Sequence, residues 1–119
     1  MSLFTLGNFI SHSGIQLNWK INCDFLTDVD WECIAYLISE DCKFNSVYGI
    51  PSGGVKLQKA LEQYCSPYET NSIVVDDVWT TGKSMQEVMK EGDKGYVVFS
   101  RGNIPAPANV KAIFTIGNL

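Results

Sequence analysis

Apolar and polar positions follow two different periods along the chain, and these periods predict the order of its elements. From Asp28 to Cys42 apolar side chains recur three and four positions apart, which is typical of a helix with one buried face; Asp28 or Asp30 is the expected cap. Residues 17–23 alternate as a strand does. Short continuous apolar runs predict strands at 46–50, 72–76, 95–100 and 110–116. The other predicted helices cover 55–64 and 82–91.

This alternation of strands and helices predicts an α/β fold with a mostly parallel central sheet flanked by helices. No repeat, linker or low-complexity segment divides the chain, so we expect one domain over residues 1–119. In such folds ligands bind at the carboxyl ends of the strands. Two glycine-containing turns stand at such ends, one after Ile50 and one after Asp77.

Composition and charge narrow the class of partner. The chain has 119 residues, 45% of them hydrophobic, and a net charge of −4. Arg101 is its only arginine, which argues against binding of a nucleic-acid backbone. The four cysteines lack a metal-binding spacing and are expected to be free thiols. Neither a signal peptide nor an apolar run of about 18 residues is present, so we expect a cytoplasmic protein without a membrane segment.

The segment from Ile73 to Ser84 carries the most specific chemistry. An apolar strand is followed by two acids, Asp76 and Asp77, and then by a turn of hydroxyl residues, glycine and lysine at a helix start. Free backbone N–H groups and hydroxyls at such a turn suit a phosphate. The two carboxylates can accept hydrogen bonds from ribose hydroxyls or approach Mg²⁺. The turn residues are Thr80, Thr81, Gly82, Lys83 and Ser84.

The triplet Gly82-Lys83-Ser84 is shared with the Walker A loop of nucleotide-hydrolysing enzymes. That motif needs a glycine five positions before Gly82, where this chain has Asp77. We therefore reject a Walker A interpretation.

The segment resembles the phosphoribosyl diphosphate-binding motif of type I phosphoribosyltransferases, and the whole chain is similar to the orotate phosphoribosyltransferases of that family. The resemblance implies that Asp76 and Asp77 hold the ribose hydroxyls as the catalytic pair and contact Mg²⁺ indirectly. It implies that residues 80–84 hold the 5-phosphate. It also implies that the turn after the second strand is a pyrophosphate loop, formed by Ile50, Pro51, Ser52, Gly53 and Gly54. Glycines there let backbone N–H groups approach an anion closely.

Residues 6–22 resemble the N-terminal hood segment of orotate phosphoribosyltransferases, and this assigns the base side of the site. Arg101 follows a strand as the family's base-binding arginine does, although Ser100 replaces the family's acid. The implied base-binding residues are Arg101, Lys20, His12 and Trp79. Lysine is usual where His12 stands, and aromatic residues are usual at positions 20 and 21, so the identity of the base stays open.

The family's long mobile catalytic loop has no counterpart between Gly54 and Ile73, where the only lysines are Lys56 and Lys59. The motif together with this missing loop is consistent with two functions. One is a transferase that moves phosphoribose from 5-phosphoribosyl 1-diphosphate to a nitrogenous base, orotate or another pyrimidine, with release of pyrophosphate. The other is a non-catalytic binding or sensor domain for phosphoribosyl diphosphate or a nucleoside monophosphate. The resemblance also implies a homodimer with Mg²⁺ as cofactor.

Overall fold

A four-stranded parallel sheet forms the centre of the computed structural model, which describes residues 2–10, 14, 16–101 and 106–116. The strands are β1 (Phe4–Ile10), β2 (Gln16–Ile21), β3 (Ser46–Gly49), β4 (Ser72–Trp79), β5 (Lys94–Arg101) and β6 (Val110–Ile116). The helices are α1 (Asp28–Asp41), α2 (Val55–Leu61) and α3 (Lys83–Val88). Two 3₁₀ turns, Cys23–Phe25 and Glu62–Tyr64, complete the described elements.

The order β3-β4-β5-β6 places each strand beside its successor, and every pair runs parallel. Strands β1 and β2 form a separate antiparallel hairpin. The predicted α/β class, with a parallel sheet and a small N-terminal segment, is confirmed. All carboxyl ends of the four parallel strands therefore lie along one edge, where residues 50–54 and 80–84 follow their strands.

Alternate residues of β4 enter two different hydrophobic clusters, because successive side chains of a strand point to opposite faces. Ile73 and Val75 pack with the inner residues of α1 and α2. Val74 packs with Met85 of α3 on the other face. Helices thus cover both faces, and this explains why β4 reads as a continuous apolar run rather than an alternating one.

The start of α1 differs from the prediction. Thr27, rather than Asp28 or Asp30, is the N-cap. Its hydroxyl accepts a hydrogen bond from the backbone N–H of Asp30 at 3.1 Å, and the Asp30 carboxylate accepts one from the N–H of Thr27 at 2.8 Å. This reciprocal capping box satisfies two N–H groups that a helix start otherwise leaves unpaired.

Among the other element boundaries that differ from the prediction, two have a clear structural cause. Strand β4 runs three residues beyond 76, because Val78 and Trp79 pair with Phe99 and Ser100 of β5. Helix α3 ends at Val88 rather than residue 91, because a turn begins there. The N–H of Lys90 donates to the Asp93 carboxylate at 2.9 Å, and Gly92 has a φ of 90°.

In the part of the chain that the structure describes, no helix is long and apolar enough to cross a membrane.

Candidate functional site

A cavity of about 450 Å³ opens at the carboxyl edge of the sheet, beneath the β1–β2 hairpin. It is lined by the acidic pair and the turn after β4, by the loop after β3, by the hairpin and by the end of β5. The predicted site residues that line it are Lys20, Ile50, Pro51, Ser52, Gly53, Asp76, Asp77, Trp79, Thr80, Thr81, Gly82, Lys83, Ser84 and Arg101. Segments far apart in sequence thus meet around one space.

Among the described residues, one predicted site residue, Gly54, does not join this lining. Gly54 is buried, and a Cβ at this position would lie 2.5 Å from the carbonyl oxygen of Val75. Its role is close packing of the loop on the sheet, which only a residue without a side chain permits. His12 lies outside the described residues.

The acidic pair lies within β4, and its carboxylates are held by local hydrogen bonds. The N–H of Asp77 donates to Oδ1 of Asp76 at 2.8 Å, and the N–H of Val78 donates to Oδ1 of Asp77 at 2.8 Å. Burial, followed by the hydrogen bond and charge of Asp77, raises the pKa of Asp76 to about 8. The pair therefore retains a proton at neutral pH and has oxygens free to accept hydrogen bonds.

Gly53 brings the β3 loop against the acidic pair. A Cβ at Gly53 would lie 2.6 Å from Cγ of Asp77, so any side chain there would displace the carboxylate. The loop that we predict to hold pyrophosphate and the acids that we predict to hold ribose are thus in direct contact. A ligand that carries both groups on adjacent atoms would span this contact.

The turn after β4 is shaped by Gly82, which has a φ of 76°. The indole of Trp79 packs directly beneath it, and a Cβ at Gly82 would overlap the ring. Trp79 is only 3% exposed and belongs to the cluster with Val74 and Met85. This burial favours a role for Trp79 in supporting the turn rather than in stacking on a base.

Helix α3 has only six residues, so fewer aligned peptide dipoles act at its start than the predicted ten-residue helix would supply. The first helical hydrogen bond runs from the N–H of Gln86 to the carbonyl of Gly82 at 2.9 Å. The anion-binding capacity of the turn therefore rests mainly on its own N–H groups, its hydroxyls and Lys83.

The side of the cavity that we predict to hold the base is formed by the hairpin and by Arg101. The Nζ of Lys20 lies 4.6 Å from the centroid of the Phe9 ring, and both residues line the cavity. Arg101 is 5% exposed, and burial lowers its pKa. Two cationic side chains therefore line the same cavity as the acidic pair.

The lining residues that were not predicted include Asn22, Cys23 and Asp24, which follow β2. Burial, followed by the charges of Asp77, Asp24 and Asp76, raises the pKa of Cys23 to about 12. The thiol is thus neutral and unreactive beside the acids. The sequence offered no spacing or motif to distinguish this cysteine from a core thiol.

Comparisons with known proteins agree with this arrangement at the level of fold. No family model and no curated protein matches the sequence. Among solved structures, orotate phosphoribosyltransferase from Aeropyrum pernix has a TM-score of 0.69 at 20% identity, covering 97% of this chain and 87% of that one. Orotate phosphoribosyltransferase from Mycobacterium tuberculosis H37Rv has a TM-score of 0.61 at 16% identity, and the match covers 96% of this chain and 89% of that one. Purine phosphoribosyltransferase from Pyrococcus horikoshii Ot3 has a TM-score of 0.54 at 17% identity, and the match covers 76% of this chain and 85% of that one.

These similarities establish that the chain has the type I phosphoribosyltransferase fold. The suspected relationship is confirmed at that level. Sequence identities of 20% or less establish a shared fold, but they do not establish the substrate or the reaction.

Proposed function

We propose that this chain binds 5-phosphoribosyl 1-diphosphate and transfers its phosphoribose to a nitrogenous base, orotate or another pyrimidine, releasing pyrophosphate. The observation that carries the proposal is that the three segments predicted to bind phosphate, ribose and pyrophosphate line one cavity. They are residues 50–53, the pair Asp76–Asp77 and the turn 80–84. Arg101 and Lys20 lie in the same cavity and supply a place for the base.

Each segment has a separate task in this reaction. The turn 80–84 holds the 5-phosphate through N–H and hydroxyl donors. Asp76 and Asp77 accept hydrogen bonds from the ribose hydroxyls and stabilise positive charge that develops on the ribose ring as the bond to pyrophosphate breaks. The loop 50–53 offers N–H groups to the departing pyrophosphate, and the base nitrogen forms the new bond to the anomeric carbon.

Mg²⁺ suits these residues only as an ion carried by the diphosphate. Among the described residues no group of three or more histidine, cysteine or acidic side chains forms a metal cage. Mg²⁺ is commonly held by one or two carboxylates together with substrate phosphates and water, and the adjacent Asp76 and Asp77 fit that limited role. When bound, it would neutralise phosphate charge.

The direct test measures binding and turnover together. Calorimetry with phosphoribosyl diphosphate and Mg²⁺ should show binding, and pyrophosphate release should require an added pyrimidine. An Asp76→Asn, Asp77→Asn double variant is the control. Pyrophosphate release equal to that of the double variant, with every base tested, would exclude the transferase.

A second candidate is a binding or sensor domain for phosphoribosyl diphosphate or a nucleoside monophosphate. The observation that favours it is the interval between β3 and β4, which is described throughout. It contains α2, the 3₁₀ turn 62–64 and a short loop at 65–71, and no further strand or basic loop. Apart from residues 50–53, no residue of this interval lines the cavity, so the interval supplies no cover over a departing pyrophosphate. Binding without turnover would favour the sensor.

We also propose a homodimer acting on small molecules in the cytoplasm. Strand β1 exposes apolar side chains that a second copy of the chain could bury. The exposed fractions are 49% for Phe4, 87% for Leu6 and 77% for Ile10. Sedimentation velocity over a range of concentrations would test the dimer. A monomer at all concentrations would contradict it.

A further inference from the structure

Arg101 is a buried cation without an anionic partner among the described residues. The ion pair that the structure describes is elsewhere, between Lys111 and Asp41. The Nε of Arg101 is buried and has no hydrogen-bond partner in the described part of the chain. Burial of an unpaired charge is unfavourable unless another group compensates for it. Since Arg101 lines the cavity, a ligand with a suitable acceptor is the natural compensating group.

The hairpin holds this guanidinium in place through Trp19. A terminal nitrogen of Arg101 donates to the backbone carbonyl of Trp19, and Cζ of Arg101 lies 3.5 Å from the centroid of the Trp19 indole. Such a stacked cation–π contact fixes the plane of the guanidinium as well as its position. Trp19 itself is absent from the cavity lining, so its ring would influence a ligand only through Arg101.

Trp19 is in turn anchored to the sheet by aromatic contacts. Its ring centroid lies 6.2 Å from that of Phe4 in β1, and Phe4 meets Phe99 of β5 edge to face at 6.5 Å. Phe99 precedes Arg101 by two residues on the same strand. Contacts therefore run from Arg101 to Trp19, from Trp19 to Phe4, and from Phe4 back to β5. The orientation of the guanidinium thus depends on the docking of the hairpin on the sheet.

We infer that Trp19 is a positioning residue for Arg101, and that this Trp19–Arg101 pair selects a base with an acceptor group on its edge. This rests on the proposed function of the cavity. A guanidinium only donates hydrogen bonds, so a ring carbonyl or a carboxylate is accepted and an edge with donors alone is disfavoured. The selectivity for the base thus depends on an indole that does not contact the base.

Calorimetry with three ligands separates this role from general support of the fold. Ribose 5-phosphate has no base, uridine 5′-monophosphate adds ring carbonyls, and orotidine 5′-monophosphate adds a carboxylate. In the wild-type protein we expect the two nucleotides to bind more tightly than ribose 5-phosphate. Trp19→Leu should reduce nucleotide affinity about tenfold, the order of a lost cation–π contact, and change ribose 5-phosphate affinity less than about twofold.

Matched variants control for the loss of an aromatic ring. Trp19→Phe keeps a face for the guanidinium and should retain most of the nucleotide affinity. Tyr36→Leu removes a half-exposed ring on α1, outside the cavity lining, and should leave all three affinities unchanged. Arg101→Lys keeps the charge but loses the planar fork, and should match Trp19→Leu.

A spectroscopic signature adds a readout that does not depend on affinity. Arg101 is the only arginine, so its Nε–H group gives a single assignable resonance. Its proton should show an upfield ring-current shift in the wild-type protein that Trp19→Leu abolishes. Uridine 5′-monophosphate should move this resonance more than ribose 5-phosphate does.

Three results would overturn the inference. Equal losses of affinity for nucleotide and ribose 5-phosphate in Trp19→Leu would reduce Trp19 to a structural residue. Unchanged nucleotide affinity would remove its positioning role. Wild-type binding of ribose 5-phosphate without any gain from a base would refute base selection while leaving the phosphoribose site intact. If the wild-type protein binds none of the three ligands, the proposed function itself fails.

Discussion

The ribose-phosphate side of the cavity is part of the central sheet, whereas its base side depends on the β1–β2 hairpin. On the first side, Asp76 and Asp77 lie within β4, and the turn after β4 rests on the buried ring of Trp79. On the second side, β1 is exposed along most of its length and reaches the sheet through a few aromatic contacts. Core packing therefore fixes the first side, whereas the second side depends on how the hairpin docks on the sheet.

This contrast has a chemical counterpart. The acidic pair has backbone donors of its own and a fixed neighbour in Gly53. Arg101 is held by one carbonyl and one ring face, both supplied by Trp19. Under the proposed function, substitutions in the hairpin would change the base while recognition of phosphoribose is kept.

Among the substitutions, Gly82→Ala should give the largest loss of stability, because it disturbs the side of the cavity that core packing holds in place. The change adds a methyl group against the Trp79 indole and imposes a positive φ on alanine. We expect a loss of about 3 kcal/mol in the free energy of unfolding, measured by urea denaturation. Gly92→Ala is the matched control, since Gly92 also has a positive φ but no atom within 4 Å of an added Cβ. It should lose about 1 kcal/mol. Equal losses would show that the Trp79 support is unimportant.

Asp77→Asn should weaken ribose 5-phosphate binding about 10- to 100-fold, because a charged acceptor of the ribose hydroxyls is lost. The folded protein should be about as stable, since the side-chain oxygen of asparagine can still accept the hydrogen bond from the N–H of Val78. Calorimetry and thermal melting measure the two quantities. Glu40→Gln, at an exposed carboxylate outside the cavity lining, should change neither. Unaltered binding in Asp77→Asn would contradict the assignment of the ribose site.

The raised pKa of Asp76 predicts a pH-dependent stability. Between pH about 4 and about 8 the folded chain holds a proton on Asp76 that the unfolded chain has already released. Folded stability should therefore fall as the pH rises through this window, by at most about 1.4 kcal/mol per pH unit. Urea denaturation at pH 5, 6, 7 and 8 should show this slope in the wild-type protein and its loss in Asp76→Asn. A constant difference between the two proteins would refute the coupling.

Phe4→Ala should give the smallest effect, because it loosens only the hairpin. Loss of the edge-to-face contact with Phe99 should lower the free energy of unfolding by about 1 kcal/mol. Uridine 5′-monophosphate binding should weaken several-fold, about the equivalent of 1 kcal/mol, while ribose 5-phosphate binding stays unchanged. Tyr68→Ala, at a ring that is 92% exposed, is the control for removal of an aromatic side chain. Equal weakening of both ligands would remove the distinction between the two sides.

Much of the fold, and the meeting of the acidic pair and the two turns at one edge of the sheet, could be predicted from local sequence. The apolar run of β4, its two acids and the following turn occupy consecutive positions, and parallel strands bring their carboxyl ends to one edge. The boundaries were less predictable. The extension of β4 to Trp79 comes from pairing with β5, and the early end of α3 comes from a turn at Lys90–Asp93.

The sequence by itself determined the α/β class and a segment suited to a phosphorylated ribose, because these depend on periodicity and on neighbouring residues. Only the tertiary structure decided that Trp79 supports the turn, that Cys23 lies beside the acids and that Trp19 holds Arg101. The reason is distance along the chain: Trp19 and Arg101 are separated by 82 positions. Contacts between such residues depend on how the hairpin docks on the sheet, and no pattern of neighbouring residues in the sequence predicts that docking.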